Sequence, residues 1–236
     1  MNRLVSAQTT ALVAMLALLT ACTDDPETTT ADDTPTASAS PADWTPVPED
    51  SDEILPAGRY GLTVAENVLP DLPWAVVDTP DGFGHFFNWI LADEGPAGGG
   101  AVSYWTLHAV YQDPCASQDV KVVETVEEAA TAFQAQRGSK VSVPRPVTLD
   151  GYRGLYLELE IPETTNFAAC PEYHPWDIDA AGGLPYVQGP GTERLWILDI
   201  DGDLAVIDAS EDAETPEAAS QQLTTMVESI DFVARS

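Results

Sequence analysis

Leu195-Trp196-Ile197-Leu198-Asp199-Ile200-Asp201-Gly202-Asp203-Leu204-Ala205-Val206-Ile207 reads as a β-hairpin. Two apolar runs flank Asp201-Gly202, and Asp-Gly suits the two-residue type I′ turn, whose central positions both need positive φ. That register sets Trp196 opposite Ile207 and Leu198 opposite Ala205. The carboxylates at alternate positions 199, 201 and 203 also invite a calcium-loop reading. Such a loop needs Gly at its sixth position and an acid at its twelfth, where this chain has Leu204 and Ser210, so the hairpin is preferred.

Outward from the hairpin, Thr215 at the N-cap and Pro216 at N1 predict a helix whose stripe Ala219, Leu223, Met226, Val227 and Ile230 packs on a sheet. Upstream, residues 154–161 alternate, with Leu155, Leu157, Leu159 and Ile161 to one side and Tyr156, Glu158 and Glu160 to the other. Thr125 and Glu128 form a capping box before the helical stripe Val126, Ala129, Ala130 and Phe133, with Gly138 as the stop. Residues 59–64 and 74–77 read as short strands, 85–91 as an apolar segment after a Pro80-Asp81-Gly82 turn, and 101–111 as one long strand. Strands in runs with one helix in the middle and one at the end predict an α+β fold: an antiparallel sheet with two main helices packed on one face.

The amino terminus has the parts of an export signal: Arg3, an apolar run over 11–19, and a small-residue stretch ending at Cys22. The run is too short for a membrane span, which takes about 20 apolar residues. Leu19-Thr20-Ala21-Cys22 resembles the bacterial lipobox, which implies cleavage before Cys22, lipidation of its thiol and attachment to the outer face of the cytoplasmic membrane. Ordinary secretory cleavage is the alternative. Residues 23–50 are Thr, Ala, Ser, Pro, Asp and Glu, with Trp44 and Val47 as the only large apolar side chains, so they read as a disordered acidic tether. The expected organisation is a signal over 1–21, lipidated Cys22 and tether over 22–50, and a single domain over 51–236.

Charge narrows the partners. The chain has 39 acidic and 9 basic residues, and loss of the signal with Arg3 leaves 39 against 8, a net of −31. Such a surface repels phosphate backbones and anionic head groups, which excludes nucleic acid and leaves the lipid as the membrane contact. Solubility in a salty habitat or a cationic ligand both fit the excess. Of the three cysteines, Cys22 takes the lipid, and Cys115 and Cys170 are expected to form a disulfide in an oxidising compartment. A metal site of Cys115, Cys170 and His174 is the alternative, disfavoured because Pro171 and Pro175 break the helical turn that Cys-x-x-x-His chelation would use.

No nucleophile elbow, phosphate loop or dinucleotide fingerprint occurs in the sequence, and His85, His108 and His174 follow no zinc or triad spacing. Residues 170–191 are too long and too aromatic for a plain connection, so they read either as a lid or wall of a ligand site or as a cover for the sheet. If there is a pocket, Trp105, Tyr173, His174 and Trp176 are its expected contacts.

Several segments resemble a family of exported actinobacterial lipoproteins: Pro56-Ala57-Gly58-Arg59-Tyr60, Val110-Tyr111-Gln112-Asp113-Pro114-Cys115, Leu149-Asp150-Gly151-Tyr152-Arg153-Gly154-Leu155, Gln188-Gly189-Pro190-Gly191, the hairpin, and Val206-Ile207-Asp208-Ala209. The resemblance implies export and anchoring and brings no active site. A late hairpin and a final helix ending in Ser229-Ile230-Asp231-Phe232 are also similar to PsbP-like domains. The expectation is a monomeric, cofactor-free surface module that binds an unidentified protein or small molecule. A secreted hydrolase of polysaccharides or esters, using acids or His174, is the alternative.

Overall fold

The structure is a computed structural model, and it describes residues 44–48, 54–63, 72–86, 89–91, 99–116, 118–170, 173–178, 187 and 189–235. The expected signal, Cys22 and the tether up to residue 43 lie outside these. In chain order the first strands are β1 (Thr45–Pro46), β2 (Gly58–Leu62), β3 (Trp74–Thr79), β4 (Gly84–Phe86), β5 (Trp89–Leu91), β6 (Gly100–Thr106), β7 (Ala109–Asp113) and β8 (Gln118–Val122). Helix α1 (Val126–Gln134) leads to β9 (Lys140–Val141), β10 (Arg145–Leu149), β11 (Tyr152–Ile161) and β12 (Trp176–Asp177). The hairpin β13 (Gly191–Ile200) and β14 (Asp203–Asp212), helix α2 (Glu217–Glu228) and β15 (Asp231–Val233) complete the fold.

The hairpin has the expected register, Trp196 opposite Ile207 and Leu198 opposite Ala205. Asp201 and Gly202 take φ of 57° and 100°, and Asp199 Oδ1 accepts from the Gly202 N–H at 2.8 Å, so this carboxylate is spent on the turn. Around it runs the main sheet, ordered β10-β11-β13-β14-β6-β5-β4, with β9 also on β11. A second sheet, β1-β2-β3-β15, and a third, β12-β7-β8, complete a mostly β architecture.

This overturns the α+β expectation, PsbP-like or otherwise, of two helices on one face of one sheet. The two helices are short and lie on opposite faces of the main sheet. One core joins Val102, Tyr104, Trp196, Leu198 and Ile207 to Leu223, Met226 and Val227 of α2 and to Leu62, Ala75 and Val77 of the second sheet. The other joins Leu157, Leu159, Leu195, Ile197 and Val206 to Val126, Ala129, Ala130 and Phe133 of α1 and to Val110 and Trp176 of the third sheet. The cause lies in the hairpin itself: Leu195 to Leu198 and Leu204 to Ile207 are unbroken apolar runs, so both faces need a cover.

Four local expectations also shift. The stretch read as one strand breaks at Leu107 and His108. The Leu107 N–H still reaches Leu204 O at 3.0 Å, but β14 begins at Asp203, and the His108 N–H turns to Asp177 O in the third sheet. Helix α2 has Pro216 as its N-cap, because the Thr215 hydroxyl donates to Gly99 O instead. At α1, Thr125 Oγ1 accepts from the Glu128 N–H at 3.2 Å as expected, while Glu128 Oε2 accepts from Glu124 rather than from Thr125. Finally, residues 44–48, which composition places in the tether, lie against the second sheet, where Thr45 and Pro46 pair in parallel with Tyr60 and Gly61.

Candidate functional site

Cys170 and residues 173–178 act as a cover over the α1 face, while residues 171–172, 179–186 and 188 of the aromatic loop lie outside the described residues. Cys115 and Cys170 are joined in a disulfide, their Cα atoms 4.9 Å apart, so neither sulfur is free for a metal. Tyr173 and Trp176 are each 1 % exposed and His174 is buried. Trp176 packs edge-on against Phe133 at 6.1 Å. The segment is fastened by Gln136, a buried amide whose Nε2 donates to Tyr111 O and Pro175 O, both at 2.8 Å. Tyr173 also exchanges backbone hydrogen bonds with Val187. Of the four expected ligand contacts, three are therefore core side chains, and only Trp105 is half-exposed.

Trp105 leads to a different group. Its indole Nε1–H donates to Ser103 Oγ at 2.6 Å. Ser103 on β6 stands opposite Asp208 on β14, and Asp208 stands opposite Leu195, two residues along β13 from Glu193. All these side chains point to the α1 face, because their alternate neighbours Leu195, Ile197, Leu204 and Val206 belong to that core. Asp208 is hydrogen-bonded to both Ser103 and Glu193. A polar chain thus crosses three strands inside an otherwise apolar layer.

Both acids are almost fully enclosed, Glu193 at 3 % and Asp208 at 7 % exposure. Burial is the largest cause pushing the Glu193 carboxyl up to about 7. The charges of Asp212 and Glu211 raise it further, and the hydrogen bond from Asp208 partly offsets them. Asp208 is raised well above the usual carboxylate range, first by burial, then by the Glu193 charge and by donating its proton to Glu193, with the Ser103 hydrogen bond opposing. The pair therefore shares a proton near neutral pH. Arg194, next in sequence, does not neutralise it. Its guanidinium faces α2, where it donates to Thr224 Oγ1 at 2.6 Å and pairs with Glu211 at 2.7 Å. Oδ1 of Asp208 has no hydrogen-bond partner among the described residues.

An open groove of about 680 Å³ lies at the strand ends beside this pair, lined by Lys140, Glu160, Glu163, Gly191, Glu211 and Asp212 among others. It reaches Thr192, next to Glu193 along β13, and carries Asp212 and Glu211, the two charges that raise it. A second groove, of about 650 Å³, runs between the start of α1 and the β10–β11 edge, with Glu124, Glu127, Arg153 and Asp199 in its walls. Carboxylates outnumber cations in both.

Sequence reasoning passes over Ser103, Asp208 and Glu193, because acids in so acidic a chain carry little information singly. The available signal was positional: Glu193 and Asp208 fall in phase with the core-facing residues of β13 and β14, where an alternating strand places apolar side chains. No family model matches the chain, and no curated protein matches it.

Proposed function

We propose that the chain is a lipid-anchored lipoprotein on the outer face of a bacterial cytoplasmic membrane, and that its folded part is a non-enzymatic binding or accessory module. The supporting observation is the division of the three cysteines. Cys115 and Cys170 hold each other in a disulfide, a bond characteristic of oxidising compartments. The third, Cys22, closes the Leu19-Thr20-Ala21-Cys22 stretch of the export signal. A diacylglyceryl group there supplies two acyl chains, enough for stable attachment where one is marginal. The module's ligand is cationic on this reading: the groove beside the acid pair presents Glu160, Glu163 and Asp212 against the one cation Lys140 among its described lining residues. The test is fractionation of cells producing Cys22→Ala. Release into the medium is expected, and unchanged membrane retention overturns the anchor.

A hydrolase reading has one observation in its favour, the protonated acid beside an ionised carboxylate, which is how glycosidases divide acid and base roles. Distance opposes it. Glycosidase carboxyls stand about 5 Å apart or more, whereas Glu193 and Asp208 bond to each other directly. Assaying the purified domain on polysaccharide, ester and peptide substrates separates the readings. Turnover abolished by Glu193→Gln or Asp208→Asn would establish the hydrolase and end the module reading.

A further inference from the structure

Gly61 lies in the middle of β2 in ordinary extended backbone, where glycine weakens a strand and needs a reason. The reason is Trp44. A Cβ on Gly61 would sit 2.4 Å from Trp44 Cζ3 and 2.8 Å from Trp44 Cε3, closer than carbon atoms approach, and a tight 3.1 Å from Trp74 Cε3. The Trp44 indole fills that notch and packs on Trp74 with ring centroids 5.3 Å apart. Trp74 is backed by the Arg235 guanidinium at 5.2 Å from its ring, and Arg235 Nε donates to Leu72 O at 2.8 Å. Beside the indole, Thr45 and Pro46 pair in parallel with Tyr60 and Gly61, the Val47 N–H donates to Gly61 O at 3.1 Å, and the Val47 side chain is buried.

We infer that Trp44 and the Gly61 notch form a clip that fastens the end of the membrane leash to the edge of β2, so that the leash leaves the folded domain at one fixed place. The leash meets a membrane only through the proposed lipid on Cys22; the clip itself does not depend on it. With the clip closed, the leash after Cys22 is residues 23–43. With the clip open, the next attachment is Leu55, whose N–H donates to Phe83 O at 2.7 Å, and the free stretch grows by the eleven residues 44–54, whose fully extended reach is at most roughly 40 Å. The clip also covers the β2 edge, which would otherwise offer unpaired backbone groups to another chain.

Hydrogen exchange of the full mature chain tests this at the Thr45 and Val47 amides. Protection is expected in the wild type, and Trp44→Ala and Gly61→Ala should each lower it by about tenfold or more while amides of β13 and β14 keep theirs. Trp44→Ala serves as the second variant if Gly61→Ala disturbs the sheet. Protection unchanged in both variants, or Val47 exchanging in the wild type as fast as an unstructured peptide, overturns the clip, as does protection that grows with protein concentration, which would mean a strand from a second copy. The measurement needs no lipid, so Cys22→Ala protein gives the same result, and failure of the clip and failure of the anchor are read separately.

Discussion

Replacing the acid pair with its amides, Glu193→Gln together with Asp208→Asn, should stabilise the protein above neutral pH. In the unfolded chain Glu193 titrates near its ordinary value of 4.5, and in the fold near 7. Between those values the folded state holds a proton that the unfolded state has released. The stability tied to the protonated pair is therefore fully present below pH 4.5 and is lost as pH rises through 7. A unit of pKa is worth about 1.4 kcal/mol, so Glu193 alone accounts for a loss of about 3 kcal/mol, and Asp208 acts in the same direction. Two amides in the same positions titrate nowhere in this range, and the amide at position 208 retains N–H groups to offer the amide oxygen at position 193. Urea denaturation of both proteins at constant ionic strength from pH 4.5 to 8 isolates the pair, because the remaining acids cancel in the difference. That difference should swing toward the variant by about 3 kcal/mol, or about 6–12 °C in Tm for a domain of this size. A difference that stays constant with pH, or a wild type that gains on the variant as pH rises, refutes the shared proton.

Reducing the Cys115–Cys170 disulfide, or changing both residues to Ser, should cost about 4 kcal/mol in the chain-entropy model for a sequence separation of 55, seen as an earlier urea midpoint with faster exchange at residues 173–178 first. Arg194→Ala leaves Glu211, whose side chain is only 11 % exposed, without its cation. A loss of about 3 kcal/mol is expected by thermal melting, with Arg194→Lys recovering only part because an ammonium cannot reproduce the fork to Glu211, Ser220 and Thr224. Gly154→Ala puts a Cβ 1.9 Å from Ile197 O, forcing β11 and β13 apart, and should destabilise by about 2 kcal/mol or more in the same assay.

What could be read in advance was local. The Asp201-Gly202 hairpin, the stripe of α2 and the cap of α1 each rest on contacts within a few residues, and positive φ, period and side-chain capping are visible in such windows. The layer arrangement was not, because it depends on which face each element covers. An unbroken run such as Leu195 to Leu198 signals burial on both sides, and taken seriously it places the helices on opposite faces. Trp44 illustrates the same limit: an isolated aromatic in a polar stretch looks like tether until Gly61, far along the chain, supplies its notch.

The candidate site followed the same division. The disulfide was legible from the count of cysteines, whereas the aromatic segment after Cys170 could be read either as the lid or wall of a ligand site or as a cover for the sheet. Phe133, legible only as part of the α1 stripe, and Gln136, which carries no signal in the sequence, make residues 173–178 a cover. The acid pair needed strand register, since only the pairing of β6, β14 and β13 brings Ser103, Asp208 and Glu193 onto one face.

Intact-mass spectrometry of the natively expressed protein bears on export and anchoring at once. The expected species begins at Cys22, carries the added mass of a diacylglyceryl group, and lacks two hydrogens for the Cys115–Cys170 bond. A species that keeps Met1 and the signal, adds no lipid and retains three free thiols would contradict both.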